Sequence, residues 1–309
     1  MSGRVAAAGE GAAEIAARSR WQEALIGWSF AAPFVVLFAI FMAGPVLASL
    51  VMAFTDLRIS DIRNPLGVNF VGLSNFAQLF ADGKFWTTVL NTLYFVVVGI
   101  PLTMIAGLAA AVGLNQRIVR FRAVFRVGYY LPVVTSIVAI AVVWRLLLSG
   151  ESGLVNGLLG TLGIHGPDWL NDPVLAMPSL IIMAAWRNLG FQMVIFLAGL
   201  QTIPQDLYEA AELDGAGHWA RFRGITLPLL RPTLLFSAVI TIIGYLQFFE
   251  EPFVMTKGGP LDHTLSVSYY IFNQFGFGNY SYAASMSYVL FVAIVGLTLI
   301  QFRLLGRED

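Results

Sequence analysis

Few side chains in this sequence have the spacing that covalent or metal chemistry requires. The 309-residue chain has no cysteine, and its three histidines, His165, His218 and His263, lie far apart and outside any H-E-x-x-H pattern. Its two lysines, Lys84 and Lys257, are not followed by Ser or Thr, and no G-x-x-x-x-G-K-[ST] string occurs. The sequence therefore predicts no metal site, no cysteine nucleophile and no ATP-binding loop within this chain.

The composition is typical of a protein that is embedded in a lipid bilayer. Hydrophobic residues make up 58% of the chain and charged residues 12%, with a mean hydropathy of +0.76, whereas about 25% of the residues of a soluble domain are charged. The net charge is zero, so a nucleic-acid partner, which would require a clustered basic face, is not expected. The sequence predicts an integral membrane protein.

Helices are the expected spanning elements, because backbone amides in lipid must be hydrogen-bonded within their own segment, and each span needs about 20 apolar residues. The fold class predicted is all-α, with one transmembrane domain over residues 24–309. Its six predicted spans cover residues 24–55, 85–116, 127–148, 173–200, 232–249 and 283–302. The first run is too long for a signal-peptide core, which favours an uncleaved span. Residues 1–23 are read as a cytoplasmic tail or a surface helix.

The distribution of Lys and Arg predicts the orientation. With the N-terminus inside, twelve of these residues fall in cytoplasmic segments and four in outer loops. The excess of positive charge marks the cytoplasmic side, so both termini are predicted to lie in the cytoplasm.

Two arginines fall inside predicted spans, whereas no Asp or Glu lies well inside any of them. The missing carboxylates argue against a proton-coupled transporter and against an intramembrane aspartyl protease. Arg145 lies near the outer end of its span and is expected to extend to the headgroups. Arg187 lies near the middle, where a charge costs at least about 2.5 kcal/mol unless it faces protein or water. We expect it to line a cavity or to pair with a carboxylate, with Glu250 and Glu251 the nearest candidates.

The most polar segment between spans is the predicted cytoplasmic loop at residues 201–231. It predicts two short helices around a turn at Asp214 and Gly215, which break helices. Glu209 and Glu212 stand three residues apart and would share one helix face, forming an acidic edge that could meet a basic partner. From spacing alone, a solvated surface turn remains the alternative.

This loop closely resembles the EAA loop of binding-protein-dependent ABC importer permeases, whose pattern is E-A-A, two residues, D-G-A, and I-x-L-P about eight residues later. The matching residues are Glu209, Ala210, Ala211, Asp214, Gly215, Ala216, Ile225, Leu227 and Pro228. Segments 70–80, 198–211 and 253–260 are similar to those of the carbohydrate branch, related to the membrane subunits of the maltose transporter.

The resemblance implies a six-span permease with the type I ABC importer fold, in a prokaryotic cytoplasmic (inner) membrane. The implied partners are a second, similar permease, two ATP-binding subunits that hold ATP and Mg and carry out the hydrolysis, and an extracytoplasmic sugar-binding protein. No cofactor and no enzymatic activity are expected in this chain. The loop would dock on an ATP-binding subunit as a coupling helix, with Glu209 pairing with that subunit. The residues expected at this contact are Glu209, Ala210, Ala211, Glu212, Asp214 and Gly215.

The resemblance also implies a site for a di- or oligosaccharide between the spans that flank the coupling loop. The residues expected to line this pathway are Arg187, Asn188, Phe191, Gln192, Thr241, Tyr245, Gln247 and Phe248. Amides, hydroxyls and aromatic faces suit a neutral polyhydroxylated substrate, although the same residues could simply pack helices together.

Two other functions remain open from the sequence. An importer of a polyol or glycerol phosphate in the same family would use Arg187 for the phosphate. A membrane-embedded enzyme acting on lipid-linked sugars would need clustered carboxylates or histidines, and the sequence shows no such cluster.

Overall fold

The computed structural model describes residues 21, 24–64, 67–116, 120–150 and 152–305, and within them it is helical, with a single isolated strand-like bridge between Thr55 and Phe70. The helices in chain order are α1 (Ala24–Met52), α2 (Ser74–Ala81), α3 (Gly83–Asn115), α4 (Arg122–Val134), α5 (Ile137–Leu147), α6 (Leu154–Thr161), α7 (Ala176–Gln201), α8 (Gln205–Leu213), α9 (His218–Leu229), α10 (Arg231–Leu246), α11 (Glu250–Met255), α12 (Val267–Gly276) and α13 (Tyr280–Leu305). The predicted all-α class is confirmed.

Four of these helices, α1, α3, α7 and α13, are each long and apolar enough to cross a membrane. Two further pairs pass the same test together but are bent, α4 with α5 by 97° and α9 with α10 by 66°. The described residues therefore hold four to six candidate spans, and the six-span count and the orientation of the termini stay predictions. The predicted tail or surface helix at residues 1–23 lies almost entirely outside the described residues.

The bend between α4 and α5 falls within the third predicted span, at Thr135 and Ser136, whose backbone is extended rather than helical. The preceding helix packs against α7, and a side chain on Gly190 of α7 would overlap the backbone of Tyr129. Glycine is thus required for this close approach, since small residues let helix backbones come together in a membrane protein. The chain turns sharply at residue 135 because α4 is held against one helix while α5 packs on α11.

The pairing of α3 with α7 is the most extensive helix contact among the described residues. It includes a crossing at Gly107, where an added Cβ would overlap the Cβ of Gln192 and stand 3.3 Å from the backbone nitrogen of Met193. Buried apolar side chains fill the space on either side of this crossing, among them Phe95, Ile100, Ile181, Ala111, Phe196 and Leu197. The position of α7 is therefore set mainly by α3.

We predict that Gly107→Ala destabilises the protein. The new methyl group meets backbone atoms of α7 that cannot rotate away, and overpacking of this kind costs about 1–3 kcal/mol. A lower thermal midpoint of the detergent-purified chain would show the effect. Gly113→Ala is the matched control, because it lies on the same helix with no atom within 4 Å of the added Cβ. Equal midpoints for the two variants would contradict the close crossing.

Candidate substrate cavity and coupling loop

A cavity of about 270 Å³, lined by both polar and apolar side chains, lies where α7, α10 and α11 meet. All eight residues predicted for the substrate pathway line it, although they come from two helices and a short connection separated by about 50 positions in the sequence. The lining is completed by Ile137, Ile240, Gly244, Glu250 and Glu251. The structure thus brings the predicted set together, and their role in binding a substrate stays a prediction.

The side-chain amide of Gln192 forms hydrogen bonds through both its nitrogen and its oxygen, and the residue is 2% exposed. Its Nε2 donates to Thr241 Oγ1 over 2.5 Å, and Ser237 Oγ donates to its Oε1. Thr241 Oγ1 in turn donates to the Ser237 carbonyl over 2.7 Å. This buried network ties α7 to α10, so Gln192 and Thr241 contribute to helix packing at the cavity wall. Ser237 was missed from the sequence because a lone serine in an apolar span carries no positional signal.

Tyr245 and Phe248 are held by α3. The hydroxyl of Thr103 donates to the Gly99 carbonyl, which leaves the Tyr245 hydroxyl to donate to Thr103 Oγ1 over 2.6 Å. The ring of Phe248 stacks on Phe95 with centroids 3.9 Å apart and planes within 3°. The two side chains are nearly fully buried at the cavity wall, and these contacts with α3 hold them in position.

The remaining lining residues keep hydrogen-bonding groups available to the cavity. Asn188 donates from Nδ2 to the Ala184 carbonyl over 2.9 Å, and its side-chain oxygen has no bond to a described residue. Gln247 is exposed and Phe191 is half-buried. These amides and this aromatic face match the requirements of a polyhydroxylated ligand.

Arg187 lines the cavity, as expected, but it forms no ion pair with Glu250 or Glu251. Among the described residues the only ion pairs are Lys84 with Asp262 and Arg221 with Glu212. The other arginine in a predicted span, Arg145, is exposed and donates to the Val254 carbonyl of α11 over 3.3 Å.

The predicted helix-turn-helix of the coupling loop is present as α8 and α9. Gly215 follows α8 with φ of +80°, a conformation that glycine adopts without a steric penalty. Its N–H donates to the Glu212 carbonyl, and the N–H of Ala216 donates to the Ala211 carbonyl over 2.9 Å. This pair of bonds is the Schellman ending of a helix and explains why the D-G-A string produces a turn at this point.

The two glutamates of the predicted acidic edge have different surroundings. Glu212 Oε2 lies 2.9 Å from Arg221 Nη1 of α9, so its charge is used within the loop. Glu209 is exposed and makes no hydrogen bond or ion pair with a described residue. Of the two, Glu209 is therefore the carboxylate without a partner among the described residues, and its pairing with an ATP-binding subunit stays a prediction.

Two large apolar side chains project from the loop, and the sequence reading did not single them out. Leu213 is 90% exposed and Trp219 is 71% exposed. They flank the turn at Gly215, and Trp219 stacks on Phe222. Exposed apolar groups at a protruding turn are typical of a protein contact. Leu213 ends α8 and Trp219 lies in the first turn of α9. The sequence alone does not predict their exposure, because it depends on the geometry of the turn between the two helices.

A second cavity, of about 600 Å³, lies beside Asp82 at the N-terminal end of α3, whereas α8 lies beside the C-terminal end of the same helix. Asp82 lies at its edge, where it caps α3 and accepts hydrogen bonds from the hydroxyls of Tyr270 and Tyr282, each over 2.7 Å. Burial alone would raise the pKa of Asp82, but these hydrogen bonds outweigh it and hold the pKa below its usual value. This cavity, too, was not predicted.

The described residues form long apolar helices with a cavity among them and a protruding acidic turn, which is the form of a transport permease. Comparison with known protein families supports this classification as a permease. The model of the binding-protein-dependent transport system inner membrane component matches residues 76–306, and the chain belongs to this family. The family predicted from the EAA loop is thereby confirmed.

Relatives match over nearly the whole chain. The lactose transport system permease protein LacF of Rhizobium radiobacter is 38% identical over 89% of this chain and 92% of its own. The trehalose/maltose transport system permease protein MalF of Thermococcus litoralis is 32% identical over 95% and 97%. A bacterial alginate ABC transporter, solved in complex with an alginate pentasaccharide-bound periplasmic protein, shares the fold with a TM-score of 0.78 at 24% identity, over 92% and 95% of the two chains.

We predict that Asp82→Asn lowers the thermal midpoint at pH 7 by about 2–5 °C. Because the pKa of Asp82 is lowered by folding, its stabilising effect is complete above the unfolded value of about 4 and is lost as the pH falls through the folded value. The wild-type midpoint should therefore fall more on acidification below about pH 4 than that of the variant. Tyr270→Phe, which keeps the carboxylate, should give an intermediate loss. Identical pH profiles for wild type and Asp82→Asn would contradict this.

Proposed function

We propose that this chain is one of two permease subunits of an ATP-driven importer that carries a di- or oligosaccharide across a prokaryotic cytoplasmic membrane. An extracytoplasmic binding protein delivers the sugar, and two ATP-binding subunits, which hold ATP and Mg, carry out the hydrolysis. The chain itself contributes a passage and a coupling element and catalyses no reaction.

The observation that carries this proposal is the continuity of α7. Arg187, Asn188 and Gln192 line the cavity on this helix, and α8 begins four residues after its last residue, Gln201. At 1.5 Å per residue, the cavity and the end of the helix are about 14 Å apart. A movement of the coupling loop is therefore transmitted to the cavity wall by a helix that is packed along its length against α3.

The chemistry of the cavity supports a sugar as the substrate. The side-chain amides of Asn188 and Gln247 and the half-buried ring of Phe191 offer hydrogen bonds and an apolar ring face to the same small volume. Relatives whose names refer to lactose and to trehalose or maltose are similar over most of their length. Glycerol phosphate is the alternative substrate, and it is distinguished by whether it competes with the sugar for uptake.

The coupling loop supports docking on a separate ATPase. Glu209 offers a free carboxylate, while Leu213 and Trp219 offer apolar surface on either side of the turn. A contact with an apolar centre and a charge at its edge has the usual anatomy of a protein interface. In this orientation α8 faces the cytoplasm, and the cavity beside Asp82 faces the binding protein.

Gly215→Pro should abolish coupling. Proline cannot adopt φ of +80°, and it lacks the N–H that bonds to the Glu212 carbonyl. The variant therefore cannot form the Schellman motif that ends α8 and turns the chain into α9. With the variant in the chromosome of the native host, uptake of radiolabelled lactose, trehalose or maltose should fall by about tenfold or more, the effect of about 1.4 kcal/mol of lost interaction.

Gly217→Pro is the matched control, because Gly217 has φ of −69°, which proline adopts. Its uptake should stay within about twofold of wild type. Membrane levels of both variants are compared by immunoblot. Full uptake by a normally inserted Gly215→Pro variant would contradict the coupling role. Sugar uptake by wild-type cells that glycerol phosphate blocks would contradict the sugar assignment.

A further inference from the structure

The coupling loop contains an ion pair whose two side chains differ in exposure. Arg221 Nη1 of α9 lies 2.9 Å from Glu212 Oε2 of α8. The side chain of Arg221 is 14% exposed, whereas that of Glu212 is 69% exposed. An ion pair between two fully exposed side chains contributes little, but here the guanidinium is largely shielded from water, so the attraction between the charges is screened less.

His218 bonds to the other side of the same guanidinium. Arg221 Nη2 lies 3.1 Å from His218 Nδ1, and Nδ1 is the acceptor because a guanidinium group can only donate. The two residues stand three positions apart on α9 and so share one helix face. Both terminal nitrogens of Arg221 are thus bonded, and His218 orients the guanidinium. An oriented side chain loses less conformational entropy when it pairs with a carboxylate.

The connection between α8 and α9 does not by itself fix the angle between these helices. It includes Gly215 and Gly217, and an added Cβ at either glycine would have no atom within 4 Å. Within the described residues, the backbones of α8 and α9 make no extensive contact with each other. A second side-chain bond, between the hydroxyls of Tyr208 and Thr226 over 2.8 Å, joins the helices farther from the turn. Side-chain bonds therefore set the angle.

This angle matters because each helix of the loop continues into a helix that lines the cavity. The first residue of α8 comes four positions after the end of α7, and α10 begins two positions after the end of α9. Both α7 and α10 line the cavity of about 270 Å³. If α8 and α9 could move apart, a displacement of the turn would be absorbed within the loop. If they move as one body, α7 and α10 are displaced together.

We propose that Arg221 is a positioning residue, which ties α9 to α8 through Glu212 so that the coupling loop moves as one rigid body. Glu212 then acts through Arg221 and not by contact with an ATP-binding subunit. This inference rests on the function proposed above. It also separates the roles of the two glutamates expected at the docking contact, because Glu209 remains the carboxylate for the partner and Glu212 belongs to the internal structure of the loop.

The rigidity of the loop is tested by distance measurements on the full-length chain in lipid nanodiscs. Because the sequence has no cysteine, nitroxide labels can be placed at Asp206→Cys on α8 and Gly224→Cys on α9, two exposed positions. Wild type should give one narrow distance distribution by electron paramagnetic resonance. Arg221→Gln and Glu212→Gln should each broaden it, and the double variant should broaden it no further. The charge swap, Glu212→Arg with Arg221→Glu, should restore the narrow distribution.

The role in transport is tested by uptake in the native host, with the sugar that wild-type cells import. At equal membrane levels, Arg221→Gln and Glu212→Gln should each lower uptake by about two- to fivefold, and the charge swap should return it to within about twofold of wild type. Arg223→Gln is the matched control, because Arg223 lies on α9, is exposed and forms no ion pair with a described residue. Its distances and uptake should equal those of wild type.

An unchanged distance distribution in both glutamine variants would overturn the proposal, as would a charge-swapped chain that stays broad or inactive. Lower uptake by Glu212→Gln with an unchanged distribution would identify Glu212 as a direct docking contact and would also overturn it. A broadened distribution with full uptake would contradict the role in transport. The proposed function fails separately, if no ATP-hydrolysing protein purifies with the wild-type chain, whatever distances the labels report.

Discussion

The close contact of α3 with α7 at Gly107 fixes the helix on which both functional regions depend. In lipid, apolar side chains gain little by leaving their solvent, so helices associate through tight packing and through bonds between polar side chains. Glycines at the crossing points allow the tight packing. The hydrogen bonds of Gln192 with Ser237 and Thr241 are the bonds between polar side chains. One face of α7 is thereby held against α3, and the same helix presents the cavity and leads into the coupling loop.

Polar groups in the helices fall into two sets. Gln192, Thr241 and the Tyr245 hydroxyl are bonded to other helices and hold the cavity wall in place. Arg187 and Glu251 each retain a buried side-chain atom that has no hydrogen-bond partner among the described residues. Bonds between polar side chains thus add to the close packing of the helices at this wall.

The sequence was sufficient for the fold class, the family and the set of cavity residues from α7 and α10. Long uncharged runs identify helices in lipid, and the EAA string gives the coupling loop because its turn chemistry is local. The partners from α3, Phe95 and Thr103, could not be predicted. In a helix that is apolar on all sides, periodicity does not show which face meets a neighbour. The bend at Thr135 and the position of Glu251 depend on tertiary contacts in the same way.

The central claim, that the turn at Gly215 meets an ATP-hydrolysing protein, is tested most directly by placing a photo-crosslinking amino acid at Leu213 in living cells. Leu213 is 90% exposed and adjoins the turn, so illumination should join this chain to a protein that hydrolyses ATP. The same group at Leu261, which is 82% exposed at the opposite end of the helices, should give no such adduct. An ATPase adduct from Leu261, or none from Leu213, would contradict the account.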